Sequence, residues 1–143
     1  MPVRVLVIDD DDLILELAND ALSAKFEVTL AASPADALEL ADKTRFSIIC
    51  CDYSMPVMDG AALLERLALK QPSMKALLLT GSDHSAAKSS RVAFAVLTKP
   101  FRPSELLEIV EALAEDDLPR ATELADRWGV RTTAGKPPPF AST

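Results

Sequence analysis

Residues 50–60 read CCDYSMPVMDG, and this stretch decides the fold. It closes an apolar run that begins at Phe46, and then gives one aspartate, Asp52, a short loop with a proline, and the pair Asp59-Gly60. A leucine-rich pattern with helical spacing follows. Open α/β sheets carry their chemistry at the carboxyl ends of buried strands. The order of strand, carboxylate, loop and helix therefore indicates an α/β protein in which Asp52 is the reactive group.

The rest of the chain alternates short apolar strands with amphipathic helices. Strands are predicted at residues 3–8, 26–31, 46–51, 74–80 and 93–98. Helices follow the first three strands and the last one, and Ser33 and Ser104 are predicted to cap two of these helices. The serine-rich segment 82–92 has few apolar anchors, so we expect one or two helical turns there. This alternation predicts a doubly wound, five-stranded parallel sheet with helices on both faces.

Two helical stripes complete the expected architecture. In the first helix the apolar stripe is predicted at positions 14, 17, 18, 21 and 22. A second stripe at positions 121, 124, 125 and 128 predicts an extra C-terminal helix. Residues 131–143 contain three consecutive prolines and read as a disordered tail or linker. We therefore expect one domain over residues 1–115, a helical extension over 116–130 and a tail over 131–143.

Composition narrows the possible classes of function. The 143 residues are 49% apolar, which fits a single globular domain. The net charge of −7 argues against nucleic-acid binding, because phosphate contacts use clustered lysine and arginine. Neither a long apolar run nor a signal-peptide pattern is found, so no membrane span is expected. Cys50 and Cys51 are strand neighbours that point to opposite faces, which favours two buried thiols over a disulfide and suggests a cytoplasmic protein.

Five side chains are predicted to meet at one edge of the sheet. The strand ends deliver Asp9, Asp10, Asp52, Thr80 and Lys99, and the carboxyl ends of parallel strands lie along one edge. Three converging carboxylates repel one another, and a hard divalent cation such as Mg²⁺ relieves that repulsion. Asp52 could then attack phosphorus as a nucleophile, while the lysine and the threonine hydroxyl stabilise the phosphoryl oxygens.

Four motifs in this order resemble the receiver domain of two-component response regulators. They are VLVIDD at 5–10, DYSMPVMDG at 52–60, LLLTG at 77–81 and TKPF at 98–101. The resemblance covers residues 3–114 and implies the flavodoxin-like fold with strand order 2-1-3-4-5. It implies that Asp52 accepts a phosphoryl group from a sensor histidine kinase or a phosphotransfer protein. Such a domain catalyses its own phosphorylation and dephosphorylation, and signals to an output protein or domain.

The resemblance also implies a role for each residue at the strand ends. Asp10, Asp52 and the backbone carbonyl of Ser54 are implied as direct Mg²⁺ ligands, with Asp9 acting mainly through water. Thr80 is implied as the switch hydroxyl that moves toward the phosphoryl group.

Lys99 is implied as the salt-bridge partner of the phosphoryl group, and its peptide bond to Pro100 is expected to be cis. The glycine after Thr80, Gly81, is expected to leave room for the phosphodonor.

The sequence departs from the family pattern beside the fifth strand. The position of the family's switch aromatic holds Val96, and Phe94 lies two residues earlier, on the same strand face by parity. Two alternatives remain open. One is a non-switching domain that signals by docking alone. The other is a phosphatase of the haloacid dehalogenase type, which would want a second aspartate where Ser54 stands.

Overall fold

The computed structural model describes residues 3–81 and 92–127. The predictions for residues 82–91, for Trp128 and for the tail concern residues outside these ranges. The elements follow one another as β1 (Arg4–Ile8), α1 (Asp12–Leu22), β2 (Glu27–Ala31), α2 (Pro34–Lys43), β3 (Ile48–Asp52), α3 (Gly60–Lys70), β4 (Lys75–Thr80), β5 (Ala93–Thr98), α4 (Pro103–Ala114) and α5 (Leu118–Arg127). In the described ranges, every helix is too short or too polar to span a bilayer.

The five strands form one parallel sheet in the order β2-β1-β3-β4-β5. This confirms the predicted flavodoxin-like topology. The three central strands are buried on both faces, which explains why they read as continuous apolar runs instead of alternating patterns. Every residue of β3 is buried, including its last residue, Asp52. A carboxylate therefore ends the most central strand of the sheet.

Two apolar clusters fill the space on either side of the sheet. The cluster on one face packs against α1, α4 and α5 and is called the α1 cluster. The cluster on the other face packs against α2 and α3 and is called the α3 cluster. Cys50 belongs to the first and Cys51 to the second, as their opposite orientations on one strand predict. Both thiols are free, and burial raises the pKa of Cys50 to about 12. This thiol therefore stays protonated at neutral pH and serves as an apolar core group.

The helix starts confirm one predicted cap and correct another. Ser33 caps α2, and its hydroxyl accepts a hydrogen bond from the Asp36 N–H at 3.2 Å. The assignment of Ser104 as a cap was wrong, because α4 already begins at Pro103. Proline suits the first helical position, since its missing N–H would have no partner there. The Glu105 carboxylate instead accepts from the N–H of Arg102, at 2.8 Å.

The buried face of α1 differs from the predicted stripe by one residue. Leu15, Ala18 and Leu22 are its buried residues, at the spacing of one helical face. The predicted stripe omitted Leu15 and was centred on its partly buried flank, which includes Ile14 and Leu17. Leu13 lies on the opposite side of the helix and is exposed to solvent.

A β-bulge changes the direction of the aromatic side chain on β5. The pairing of β4 with β5 shifts register between Ala76 and Leu77, and Phe94 is the extra residue on β5. A bulge of this kind re-aims the side chain that it inserts. Phe94 packs against the α1 cluster, whereas Val96 belongs to the α3 cluster. The prediction that these two residues share a strand face was therefore wrong.

The extra C-terminal helix packs onto the domain. Ala121 and Leu124 of α5 are buried in the α1 cluster, beside residues of β5 and α4. The connecting turn contains Asp116, whose φ is 61° and whose carboxylate lies 2.8 Å from the Lys75 ammonium. The helix therefore joins the same core as the sheet.

Candidate functional site

Three carboxylates converge at the carboxyl ends of the central strands. Asp9, Asp10 and Asp52 each offer an oxygen, and these oxygens all lie within 4.8 Å of one another. The parallel register brings them together, because Ile8 pairs with Cys51 and the next residue of each strand is an aspartate. Asp9 and Asp52 are buried, whereas Asp10 is exposed. Two of the three charges thus lie in a poorly solvated place.

Main-chain hydrogen bonds position the two buried aspartates. One oxygen of Asp9 accepts a hydrogen bond from the Asp11 N–H at 2.9 Å, and Asp11 in turn caps α1. Asp52 pairs with Leu79 in the sheet, and the N–H of Tyr53 donates to the Leu79 carbonyl at 2.8 Å. The sheet and the start of α1 therefore position these groups before any ligand binds.

The loop after Asp52 returns close to the strand that it leaves. Asp59 caps α3 by accepting from the Ala62 N–H at 2.8 Å, so the Asp59-Gly60 pair forms the entry to this helix. The N–H of Gly60 donates to the Tyr53 carbonyl at 2.7 Å. At the exposed tip of the loop, Val57 has a φ of 79°, which is unusual for a β-branched residue.

Lys99 joins the acidic group from the end of β5. Its ammonium lies 3.0 Å from Asp52 Oδ1, which it hydrogen-bonds, and 2.9 Å from Asp9 Oδ2, which it meets as an ion pair. The N–H of Lys99 donates to the Thr80 carbonyl at 2.7 Å, and its peptide bond to Pro100 is cis, as expected. Topology thus brings together the side chains of Asp9, Asp10, Asp52 and Lys99, as the sequence predicts.

Burial and charge oppose each other at this site. Desolvation raises the pKa of Asp9 and of Asp52 above the ordinary value of 3.8, although Lys99 pulls both downward. Desolvation also acts to lower the pKa of Lys99, but its contacts with both carboxylates outweigh burial and raise it above 10.5. Among the described residues, one ammonium therefore faces three carboxylates, which leaves an excess of negative charge.

Buried oxygens without a hydrogen-bond partner concentrate at this edge. Among the residues that the structure describes, the buried hydroxyl oxygens Thr80 Oγ1 and Thr98 Oγ1 have no partner, and the buried Asp9 Oδ2 accepts no hydrogen bond of good geometry although the Lys99 ammonium lies 2.9 Å away. Thr80 and Thr98 are register partners at the ends of β4 and β5. Thr98 was not singled out from the sequence, although aligning the two strand ends would have placed it beside Thr80. A buried hydroxyl without a partner lowers the stability of the fold. A ligand or a rearrangement that supplies a partner would therefore be stabilising at these positions.

The acidic group lies in an open crevice. Besides Asp9, Asp10, Asp52 and Lys99, its lining consists of Asp11, Asp12, Leu13, Ser54 and Gly81. The donor set consists of hard oxygen ligands with excess negative charge, and such a set fits Mg²⁺ better than a softer metal. Ser54 is exposed on the loop that follows Asp52, so its main chain runs along the crevice.

A five-stranded parallel sheet with an acidic crevice and a lysine at its carboxyl edge defines the class of receiver-type α/β domains. The family model described as the response regulator receiver domain matches residues 5–111. The chain therefore belongs to the receiver domain family of two-component response regulators.

Individual relatives agree with this assignment. The transcriptional regulatory protein GlrR of Escherichia coli is 30% identical over 131 residues, which cover 89% of this chain and 29% of that protein. The chain thus spans less than a third of the length of this curated relative.

Solved structures show the same fold. The chemotaxis response regulator CheY4 of Vibrio cholerae is 30% identical, with a TM-score of 0.72 over 79% of this chain and 99% of that one. A CheY-like receiver domain protein from Methanospirillum hungatei is 32% identical, with a TM-score of 0.73 over 82% of this chain and 98% of that one.

Proposed function

We propose that Asp52 accepts a phosphoryl group from a phosphohistidine, carried by a sensor histidine kinase or a phosphotransfer protein. The phosphorylated domain then presents a changed surface to an output protein or domain. The observation that carries this proposal is the convergence of Asp9, Asp10 and Asp52 within 4.8 Å, with the Lys99 ammonium 3.0 Å from the Asp52 carboxylate. Family membership supports it, since receiver domains are the phosphoacceptors of two-component systems.

The proposed reaction is a displacement at phosphorus. A carboxylate oxygen of Asp52 forms a bond to phosphorus while the bond from phosphorus to the imidazole nitrogen breaks, and its electron pair leaves with the imidazole. The nucleophile is held in place because Asp52 ends a buried strand and one of its oxygens is bound by Lys99. In this position the lysine favours the ionised form of Asp52, which is the nucleophilic form.

Mg²⁺ is the proposed metal ion. Asp10, Asp52 and the backbone carbonyl of Ser54 would hold it, with Asp9 next to them. When bound, the ion neutralises charge on the phosphoryl oxygens. Among the described residues of the site, the carboxylates outnumber the one ammonium group, that of Lys99, and this excess of negative charge fits such an ion. Asp10 is the exposed member of the group and can meet a hydrated ion entering from solvent.

Lys99 and Thr80 are the proposed partners of the transferred group. The Lys99 ammonium already lies between Asp9 and Asp52, so a phosphoryl group on Asp52 would meet it without a large movement. The Thr80 hydroxyl is buried and lacks a partner among the described residues. A phosphoryl oxygen can supply the missing acceptor.

Labelling tests the proposed function directly. The wild-type chain and Asp52→Asn are incubated with a phosphorylated histidine kinase or with acetyl phosphate, with Mg²⁺ or with a chelator. We expect Mg²⁺-dependent, hydroxylamine-labile label on the wild-type protein and none on the variant. Asp20→Asn changes an exposed aspartate of α1 in the same chemical way and should label like wild type. Label that persists in Asp52→Asn would refute the assignment.

A second candidate is a receiver-like domain that docks without switching. It is favoured by one observation, because Val96 occupies the aromatic position and Phe94 packs on the other side of the sheet. In that case beryllofluoride, a phosphoryl analogue, would bind at Asp52 without shifting the resonances of Thr80 and Phe94. Shifts at both residues would favour the switching domain.

A further inference from the structure

The Thr98 hydroxyl has no role in the proposed phosphotransfer. Even so, it resembles the Thr80 hydroxyl, which has one. Its oxygen is buried and lacks a hydrogen-bond partner among the described residues, as does the oxygen of Thr80. The buried oxygen of Asp9 differs from these two, because the Lys99 ammonium lies 2.9 Å from it. The proposed phosphoryl group explains the orphaned oxygen of Thr80, but not that of Thr98.

The sheet places the two threonines side by side. Thr80 and Thr98 are direct register partners on parallel strands, which are spaced about 4.8 Å apart. Register partners point to the same face of a sheet, so the two side chains are neighbours. The N–H of Lys99 donates to the Thr80 carbonyl at 2.7 Å, which keeps the strand ends together up to the site. Val96, two residues before Thr98 on the same strand, offers no polar group.

We infer that Thr98 is a positioning residue that acts through Thr80. This inference rests on the proposed phosphorylation of Asp52. When the Thr80 side chain rotates to donate its O–H to the phosphoryl group, its oxygen comes within reach of the Thr98 O–H, which donates to it. A chain of two hydrogen bonds then runs from Thr98 through Thr80 to the phosphoryl group, and each bond polarises the next. Thr98 would thus hold the rotated Thr80 by hydrogen bonding, in a protein that has Val96 where the family carries its switch aromatic.

The inference predicts opposite effects of Thr98→Val on two measurements. The unligated variant should melt at a higher temperature than wild type, because a buried hydroxyl without a partner has been removed. The same variant should bind beryllofluoride in the presence of Mg²⁺ about threefold to tenfold more weakly, since one hydrogen bond is lost in the ligated state only. A purely structural role for Thr98 would not produce this opposition.

A double-mutant cycle identifies Thr80 as the partner. Beryllofluoride affinity is measured by NMR titration for wild type, Thr98→Val, Thr80→Ala and the double variant. The effect of Thr98→Val should vanish in the Thr80→Ala background. Thr98→Ser should bind within about twofold of wild type, because it keeps the hydroxyl. Thr29→Val makes the same chemical change on β2, the opposite edge strand, and should leave affinity unchanged.

The outcomes separate this inference from the proposed function. A wild-type protein that does not bind beryllofluoride at Asp52 would overturn the proposed function, and the role of Thr98 with it. A wild-type response that Thr98→Val retains in full, or an effect that persists in the Thr80→Ala background, would overturn the role of Thr98 alone. A lowered melting temperature of unligated Thr98→Val would also overturn it, since the hydroxyl would then already have a partner.

Discussion

Gly60 lies so close to Asp52 that a β-carbon on it would stand 2.2 Å from the main-chain oxygen of Asp52. The next atoms that such a carbon would meet, 2.9 Å away, also belong to the main chain. Backbone at this position cannot yield as a flexible side chain would. Helix α3 can therefore begin in contact with the residue at the centre of the site only because Gly60 has no side chain.

Gly60→Ala should damage both stability and phosphorylation. We expect the free energy of unfolding to fall by about 3 kcal/mol, because the added methyl group forces backbone apart. Labelling of Asp52 should slow, because the strand end must move. Gly81→Ala is the matched control, since a β-carbon there meets nothing within 4 Å in the described structure, and its melting temperature should stay at the wild-type value. Equal stabilities of the two variants in urea denaturation would contradict the clash.

Lys99→Met should strengthen Mg²⁺ binding while it slows phosphorylation. The ammonium is 2.9 Å from Asp9 and 3.0 Å from Asp52, so its removal leaves more negative charge for the ion to neutralise. We expect Mg²⁺ affinity, measured by isothermal titration calorimetry, to rise about fivefold or more. Labelling should be slower by about tenfold or more, because the phosphoryl oxygens lose a cation.

The control for Lys99→Met is Lys75→Met. Lys75 is similarly buried, but it lies at the other end of the sheet, paired with Asp116. Its loss should leave Mg²⁺ affinity unchanged. Weaker Mg²⁺ binding by Lys99→Met would indicate that the lysine organises the carboxylates more than it competes with the ion.

Asp9→Asn should stabilise the metal-free protein at neutral pH. Burial raises the pKa of Asp9 in the folded protein, so between pH 3.8 and that raised value the folded chain binds more protons than the unfolded chain. The contribution of Asp9 to stability therefore falls as the pH rises through this window, and stays low above it. The asparagine avoids this loss, and we expect a gain on the order of 1 kcal/mol at pH 7.

The gain from Asp9→Asn should shrink as the pH falls through this window, and it should level off well below 3.8, where the carboxyl group is protonated in both states. Thermal unfolding in chelator at several pH values measures it. A gain that does not change with pH would show that the charge of Asp9 is not its cause.

Val57→Asn should stabilise the loop that follows Asp52. Val57 has a φ of 79° and is fully exposed, so a β-branched side chain is strained there and gains nothing from packing. Asparagine adopts this backbone region readily, and the expected gain is about 1 kcal/mol in chemical denaturation. Val57→Ala is the control, because it removes exposed apolar surface but keeps the β-carbon. A gain from alanine equal to that from asparagine would attribute the effect to the apolar surface.

Residues 1–117 should fold and accept phosphate without α5. Among the described side chains of that helix, Ala121 and Leu124 are the buried ones. Their loss should lower the free energy of unfolding by about 2–3 kcal/mol, the value of one large and one small apolar side chain. Leu124→Ala in the full chain should account for most of this loss. An unfolded truncated chain would place the domain boundary beyond residue 117 instead of near 115.

Local pattern was sufficient for most of the fold. Continuous apolar runs predicted the central strands, because parallel strands are buried on both faces. The shared sheet edge predicted the meeting of Asp9, Asp10, Asp52 and Lys99, which the structure brings together.

The misjudged features depend on pairing between distant segments. The direction of Phe94 follows from a bulge in the pairing of β5 with β4, which strand parity alone does not contain. The orphaned hydroxyl of Thr98 likewise depends on which groups its neighbours leave within reach. Leu15 and Ser104 are simpler cases. The buried face of α1 and the start of α4 were each assigned to positions adjacent to the correct ones.

The partnerless hydroxyl oxygens of Thr80 and Thr98, and the excess negative charge of the acidic group, have a practical consequence for finding what binds this protein. Any molecule that supplies charge or hydrogen bonds at this edge removes a penalty from the folded state, and so raises the melting temperature. The melting temperature of the chain therefore reports ligand binding directly. A thermal-shift screen of divalent ions, phosphoramidates and acyl phosphates would rank its ligands without a label, a kinase or a known output.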